Sequence, residues 1–112
     1  MFGVWQAAFL LPIIHGIQQR AGSAEAPEYG GTVLPQCIII APTRELVSQI
    51  HMQAKKFSHN TGVRAQVVYG GTHVRTQLSR LQNGCEILVG TPGRLMMFLK
   101  NGEVCAVLYA LK

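Results

Sequence analysis

Three short apolar stretches, residues 37–41, 64–69 and 86–89, each lead into a segment with helical periodicity, and this alternation narrows the available folds more than any other feature of the chain. The stretches carry III, VV and ILV, rich in β-branched residues, and are too short for stable helices, which predicts strands. After the first, residues 44–59 place Leu46, Val47, Ile50, Ala54 and Phe57 on one helical face and leave Gln53, Lys55 and Lys56 outward. A second helix is expected over residues 74–82, with Val74, Leu78 and Leu81 inward and Arg75, Gln77 and Arg80 outward. A third begins at Pro92, turns Leu95, Met96 and Leu99 inward, and stops at Asn101 and Gly102. Strands that are apolar along most of their length and alternate with helices predict an α/β fold, a parallel sheet with helices on both faces. Ligands of such folds gather at the carboxyl ends of the strands.

The flanks are less regular. Residues 6–19 place Ala7, Leu10, Leu11, Ile14 and Ile17 at helical spacing, with a kink expected where Pro12 lacks an N–H. Residues 21–35 (AGSAEAPEYGGTVLP) read as a flexible surface loop, and residues 103–112 as a divergent tail whose apolar run could begin another strand. The opening apolar run does not read as a secretion signal, because no Lys or Arg precedes it and Gln6, Pro12 and His15 interrupt it. It is also too short and broken to span a bilayer, so no membrane partner is expected.

At 112 residues the chain is one domain's worth, and ten Lys and Arg against five acids give a net charge of +5, which suits polyanionic partners. All five acids are glutamates (Glu25, Glu28, Glu45, Glu86 and Glu103); the sequence contains no Asp, which excludes any chemistry that needs one. Cys37, Cys85 and Cys105 are widely spaced, and two of them lie in apolar runs, so they read as reduced thiols of a protein in a reducing compartment. No Cys or His spacing suggests zinc, and His15, His51, His59 and His73 read as ordinary surface or packing residues.

Candidate chemistry sits just after each strand. At Ala41-Pro42-Thr43-Arg44-Glu45-Leu46 a strand turns straight into a helix. Thr43 is placed to cap it, its positive dipole end faces the ligand edge, and Arg44 adds charge and a planar fork of donors. Thr91-Pro92-Gly93-Arg94 repeats the arrangement: Thr91 as cap, Pro92 at the first helical position, Gly93 for close backbone approach and Arg94 for charge. Between them, Gly70 and Gly71 offer bare backbone N–H groups after the second strand. Each of these is common structural punctuation by itself. Their recurrence at equivalent points, spread along one sheet edge, fits a groove that tracks a nucleic-acid backbone better than a pocket for one small phosphate ligand.

APTREL (residues 41–46), YGG (69–71) and TPGRL (91–95), in this order and with these intervals, resemble motif Ia, the GG motif and motif Ib of the DEAD-box RNA helicases. The flanks IIIAPTRELVSQI, KKFSHNTGVRAQVVYGGT and ILVGTPGRLMMFL are similar as well, so the resemblance covers about residues 6–102 and leans toward the Vasa-type group of animal germ cells. It implies a partial first RecA-like domain over residues 1–112, of the P-loop NTPase type. It further implies that Pro42, Thr43, Arg44, Gly70, Gly71, Thr91, Gly93 and Arg94 contact the sugar-phosphate backbone of single-stranded RNA or RNA duplex ends. Such binding is sequence-independent and salt-sensitive. The implied location is cytoplasmic, in germ granules, or nuclear.

The family's cofactors are ATP and magnesium, and here the chain departs from the pattern. A phosphate-binding loop, G-x-x-x-x-G-K-[ST], should precede AAFLLP, but Trp5 stands where its Lys would be and Gln6 where its Thr would be. The acidic tetrad expected after TPGRL and its helix is also missing. Neither cofactor is therefore expected to bind productively, and no catalytic or metal-binding residue is assigned. The expectation is a fragment of an ATP-dependent RNA helicase that supplies RNA-backbone binding and is inactive alone, with an exposed apolar sheet edge prone to self-association. The alternatives are a non-catalytic RNA-binding or interaction module, a non-functional truncated product, or a small-phosphate-binding domain unrelated to RNA.

Overall fold

The computed structural model describes residues 2–20, 33–71 and 73–104. In chain order these form α1 (Phe2–Arg20), β1 (Cys37–Ile40), α2 (Arg44–Phe57), β2 (Ala65–Val68), α3 (Val74–Gln82), β3 (Ile87–Gly90) and α4 (Pro92–Lys100). The strands make one sheet in the order β1-β3-β2, parallel throughout, with Cys37 and Ala65 both level with Ile87, and Ile40 and Val68 both level with Gly90. All three strands therefore end together, and the segments that follow them emerge along one edge.

Alternation along the central strand assigns the helices to faces. Ile87 and Val89 point into a core with Leu10, Ile14 and Ile17 of α1 and Val47, Ile50 and Ala54 of α2. Leu88 points the opposite way, into a second core with Val68, Leu81, Leu95 and Phe98, which brings α3 and α4 to the other face. This is the two-sided α/β arrangement expected from the sequence. All four residues of β3 are buried, whereas β1 lies at an edge where Ile38 and Ile39 are half-buried and Ile40 is 64% exposed.

Helix faces are where the sequence reading needs correction. Gln77, expected outward, is only 5% exposed, because its side chain turns under α3 to donate from Nε2 to the Tyr69 carbonyl at 3.0 Å. Met96, expected inward, is 50% exposed, and the core position belongs to Phe98, which is fully buried. Leu95 and Phe98 are three residues apart and share a face, whereas Met96 is turned about 100° from Leu95 around the helix.

The ends of several elements also differ from expectation. α1 begins at Phe2, earlier than residue 6, and runs through Pro12 as one helix. Pro12 and Ala8, whose carbonyl loses its helical N–H partner, are both exposed, so the break falls on the solvent side of the helix. Of the presumed loop over 21–35, residues 21–32 lie outside the described residues, while Val33 and Pro35 are buried. Val33 donates its N–H to the Glu103 carbonyl at 2.9 Å and pairs in parallel with Val104, so the end of this loop is packed. Of the tail, only Glu103 and Val104 are described.

α4 stops where the Asn101-Gly102 signal predicts. Gly102 takes a φ of 72° and donates to the Leu99 carbonyl at 3.2 Å, while Glu103 donates to the Phe98 carbonyl at 3.0 Å, a Schellman closure. Cys37 and Cys85 are buried free thiols, as expected of core cysteines. Burial, reinforced by the Glu86 carboxylate, pushes the Cys85 thiol up to about 12, which leaves it unreactive near neutral pH. Cys105 lies outside the described residues.

Candidate functional site

Two backbone bonds align the three strand ends. Ala41 donates to the Gly90 carbonyl and Thr91 to the Val68 carbonyl, each at 3.1 Å, so the residues leaving β1, β3 and β2 stand side by side. β3 closes against its neighbours because Gly90 has no side chain: a Cβ there would lie 2.6 Å from Val68 Cγ2 and 2.7 Å from Leu95 Cγ. The sequence reading did not single out Gly90, although a glycine ending an apolar strand is a signal of close approach.

From β1, Pro42, Thr43 and Arg44 are all exposed. Thr43 adopts an extended backbone, and its Oγ1 accepts the Leu46 N–H at 3.2 Å, the expected cap. From β2, Gly70 and Gly71 are exposed, and Gly71 has a φ of 82°, a conformation that favours glycine. From β3, Thr91 and Arg94 are half-buried and Gly93 is exposed. Thr91 occupies the cap position of α4, but its side chain makes no cap bond, contrary to expectation; its carbonyl accepts the Leu95 N–H at 3.1 Å.

Two glycines in this row have no structural cause of their own. Among the described residues, an added Cβ at Gly70 or Gly93 would meet nothing within 4 Å, and neither residue has a positive φ. Among the described residues, none fills the space over them, and both are exposed.

The sequence reading missed a contact that unites the row. The Arg44 guanidinium lies over the Tyr69 ring, 4.6 Å from its centroid. Since β3 separates β1 from β2, this contact crosses the end of the central strand. Sequence spacing does not disclose it, because the pairing follows from the strand order.

The opposite, amino-terminal edge is built differently. Arg64 donates from its backbone N–H to Glu86 Oε2 and from Nη2 to Glu86 Oε1, both at 2.6 Å, and from Nη1 to the Asn83 carbonyl at 2.9 Å. The Glu86 hydrogen bond raises the Arg64 pKa above its already high ordinary value. In the lower half of α2, His51 Nε2 donates to the Ala65 carbonyl at 3.0 Å. Burial lowers the His51 pKa from its ordinary 6.5, with Lys55 and Arg80 acting in the same direction and the carbonyl bond opposing them. Among the described residues, no group of three His, Cys, Asp or Glu is arranged to hold a metal ion, and no helix is long and apolar enough to cross a membrane.

A sequence model of the DEAD/DEAH box helicases matches residues 7–111. The chain is 49% identical over 98 residues to the probable ATP-dependent RNA helicase DDX4 of Homo sapiens and equally to that of Sus scrofa, a match covering 88% of this chain and 13% of each relative. Among solved structures, the RNA helicase Prp28 from Chaetomium thermophilum bound to ADP superposes with a TM-score of 0.70 at 37% identity, covering 91% of this chain and 23% of that one. The yeast DEAD-box splicing factor Prp28 gives 0.72 at 32% identity, covering 89% of this chain and 23% of that one. The chain thus spans about an eighth of the length of the curated relatives it matches.

Proposed function

Because this chain belongs to the DEAD/DEAH box helicase family, we propose that its carboxyl sheet edge grips the sugar-phosphate backbone of RNA as part of an ATP-dependent RNA helicase. The observation that carries this reading is the open space over Gly70 and Gly93. Packing requires glycine at Gly90 but not at these two positions, and a closely approaching phosphate backbone supplies the missing reason. Arg44 adds an exposed guanidinium suited to phosphate, the half-buried Arg94 follows in the same row, and the capped start of α2 adds its dipole. None of these groups reads base edges in the manner of sequence-specific proteins, so binding is insensitive to sequence and weakens with salt.

The residues present do not fit ATP and magnesium. A phosphate-binding loop needs backbone N–H groups free to cradle phosphates, and the stretch leading to residue 7 is already helical from Phe2. No Asp is available for magnesium. We therefore derive no hydrolytic step from these residues.

Titrating labelled single-stranded oligouridylate into the chain at two salt concentrations tests the RNA reading. Binding is expected in the range of about 10⁻⁴ to 10⁻⁶ M, weakening as salt rises. An Arg44→Ala, Arg94→Ala double variant is expected to lose about 10-fold or more in affinity while melting like the wild type. Equal binding by the two proteins overturns the reading.

A further inference from the structure

We infer that Tyr69 is a positioning residue: its ring is a platform that holds the Arg44 guanidinium across the end of β3 with its hydrogen-bonding edge turned to a phosphate. This rests on the RNA-backbone reading above and goes further, because it gives a role to a residue with no expected ligand contact.

The argument begins with what an arginine can offer. Its N–H donors lie in the guanidinium plane, so a carboxylate partner consumes them, whereas an aromatic ring engages the face and leaves the edge available. Both arrangements occur in this molecule. Glu86 and the Asn83 carbonyl occupy the donors of Arg64. Arg44 lies 4.6 Å over the Tyr69 ring, and among the described residues no carboxylate comes within ion-pair distance of it. An exposed arginine otherwise surrenders rotamer freedom when it closes on a phosphate, and the ring restricts that freedom beforehand.

The platform is itself held in place. Tyr69 is half-buried and packs against the core formed with α1 and α2. Its carbonyl accepts a 3.0 Å bond from Gln77, a buried glutamine of α3 on the other face of the sheet. Arg44 follows β1 and Tyr69 follows β2, so their contact fixes the two outer strand ends relative to Thr91–Arg94, which leaves β3 between them.

A thermodynamic cycle tests this with the whole chain and labelled oligouridylate as probe. Tyr69→Leu is expected to weaken binding by about 3- to 10-fold, the scale of a lost cation–π contact, while Tyr69→Phe, which keeps the ring, stays within about 2-fold of wild type. In an Arg44→Ala background, Tyr69→Leu is expected to add nothing, because the residue being positioned is gone. The salt dependence of log K in Tyr69→Leu is expected to become shallower by up to about 0.7, the value of one phosphate contact on a single strand. A purely structural role would not produce that coupling, that slope or rescue by phenylalanine. Wild-type affinity in Tyr69→Leu, an equal loss in the Arg44→Ala background, or a Tyr69→Phe variant as weak as Tyr69→Leu each overturns the platform. Full binding by Arg44→Ala removes the backbone-gripping reading itself, whereas loss in Arg44→Ala without loss in Tyr69→Leu removes the platform alone. If Tyr69→Leu melts below the assay temperature, the wild-type NMR spectrum decides: ring-current-shifted Arg44 side-chain protons support the stack, and unshifted ones overturn it.

Discussion

The two ends of the same three-stranded sheet use arginine and glycine in opposite ways. At the amino end, Arg64 is bound by Glu86 and the Asn83 carbonyl, and its guanidinium fills the space beside Gly84, where an added Cβ would lie 1.8 Å from Nη1. At the carboxyl end, Arg44 rests on an aromatic face, and Gly70 and Gly93 face open space. The amino end satisfies its polar groups within the protein and so stabilises the fold. The carboxyl end keeps Arg44 exposed, with its guanidinium face on a ring and not its edge on a carboxylate, as a binding edge does. Residue type is therefore a poor guide to role here, and what surrounds each residue is the better one.

That contrast can be broken most sharply at the glycines. Gly84→Ala is expected to cost about 1–3 kcal/mol, since the backbone there has a φ of 130° and the Arg64 guanidinium must also move. Urea unfolding measures the loss, and RNA affinity of the folded fraction should be unchanged. A stable Gly84→Ala variant would mean that the amino end is less tightly constructed than its contacts indicate.

Gly93→Ala is expected to do the reverse on a smaller scale. Its position in the first turn of α4, without a positive φ, suits alanine, so stability should hold or rise by up to about 1 kcal/mol. RNA affinity should nevertheless fall by about 3-fold or more, because a methyl group would stand in the approach path. Unchanged RNA affinity would return Gly93 to the category of helix punctuation.

The smallest expected effect concerns His51, which belongs to the internally satisfied half. Its folded-state pKa lies below the ordinary 6.5, so the unfolded chain takes up the proton first as pH falls. The stability contributed by the neutral, buried imidazole is present above pH 6.5 and is lost progressively below it, down through the lowered folded value. Urea midpoints at pH 7.5 and pH 5 should therefore fall farther apart in the wild type than in His51→Gln. Equal pH dependence would show that His51 does not contribute to this loss.

Much of this molecule was legible in its sequence, for reasons that differ by element. β3 could be recognised as a strand because a strand covered on both faces is apolar at every position, as β3 is. The start of α2 and the end of α4 could be placed to the residue, because Thr43 and Gly102 act through bonds to neighbours three or four positions away. Gln77 and Met96 were misassigned because a helix face is defined by what packs on it. A glutamine is buried when a carbonyl such as that of Tyr69 lies within its reach, and periodicity in a nine-residue helix does not reveal that carbonyl.

The sequence by itself determined the α/β alternation, the family and the row of residues that follow the strands, since each depends on local chemistry or on the order of motifs. Only the tertiary structure decided that β3 lies between β1 and β2, and hence that Arg44 reaches Tyr69 across its end. Strand order is a long-range choice set by how the helices pack on each face, and no spacing along the chain records which strand ends become neighbours.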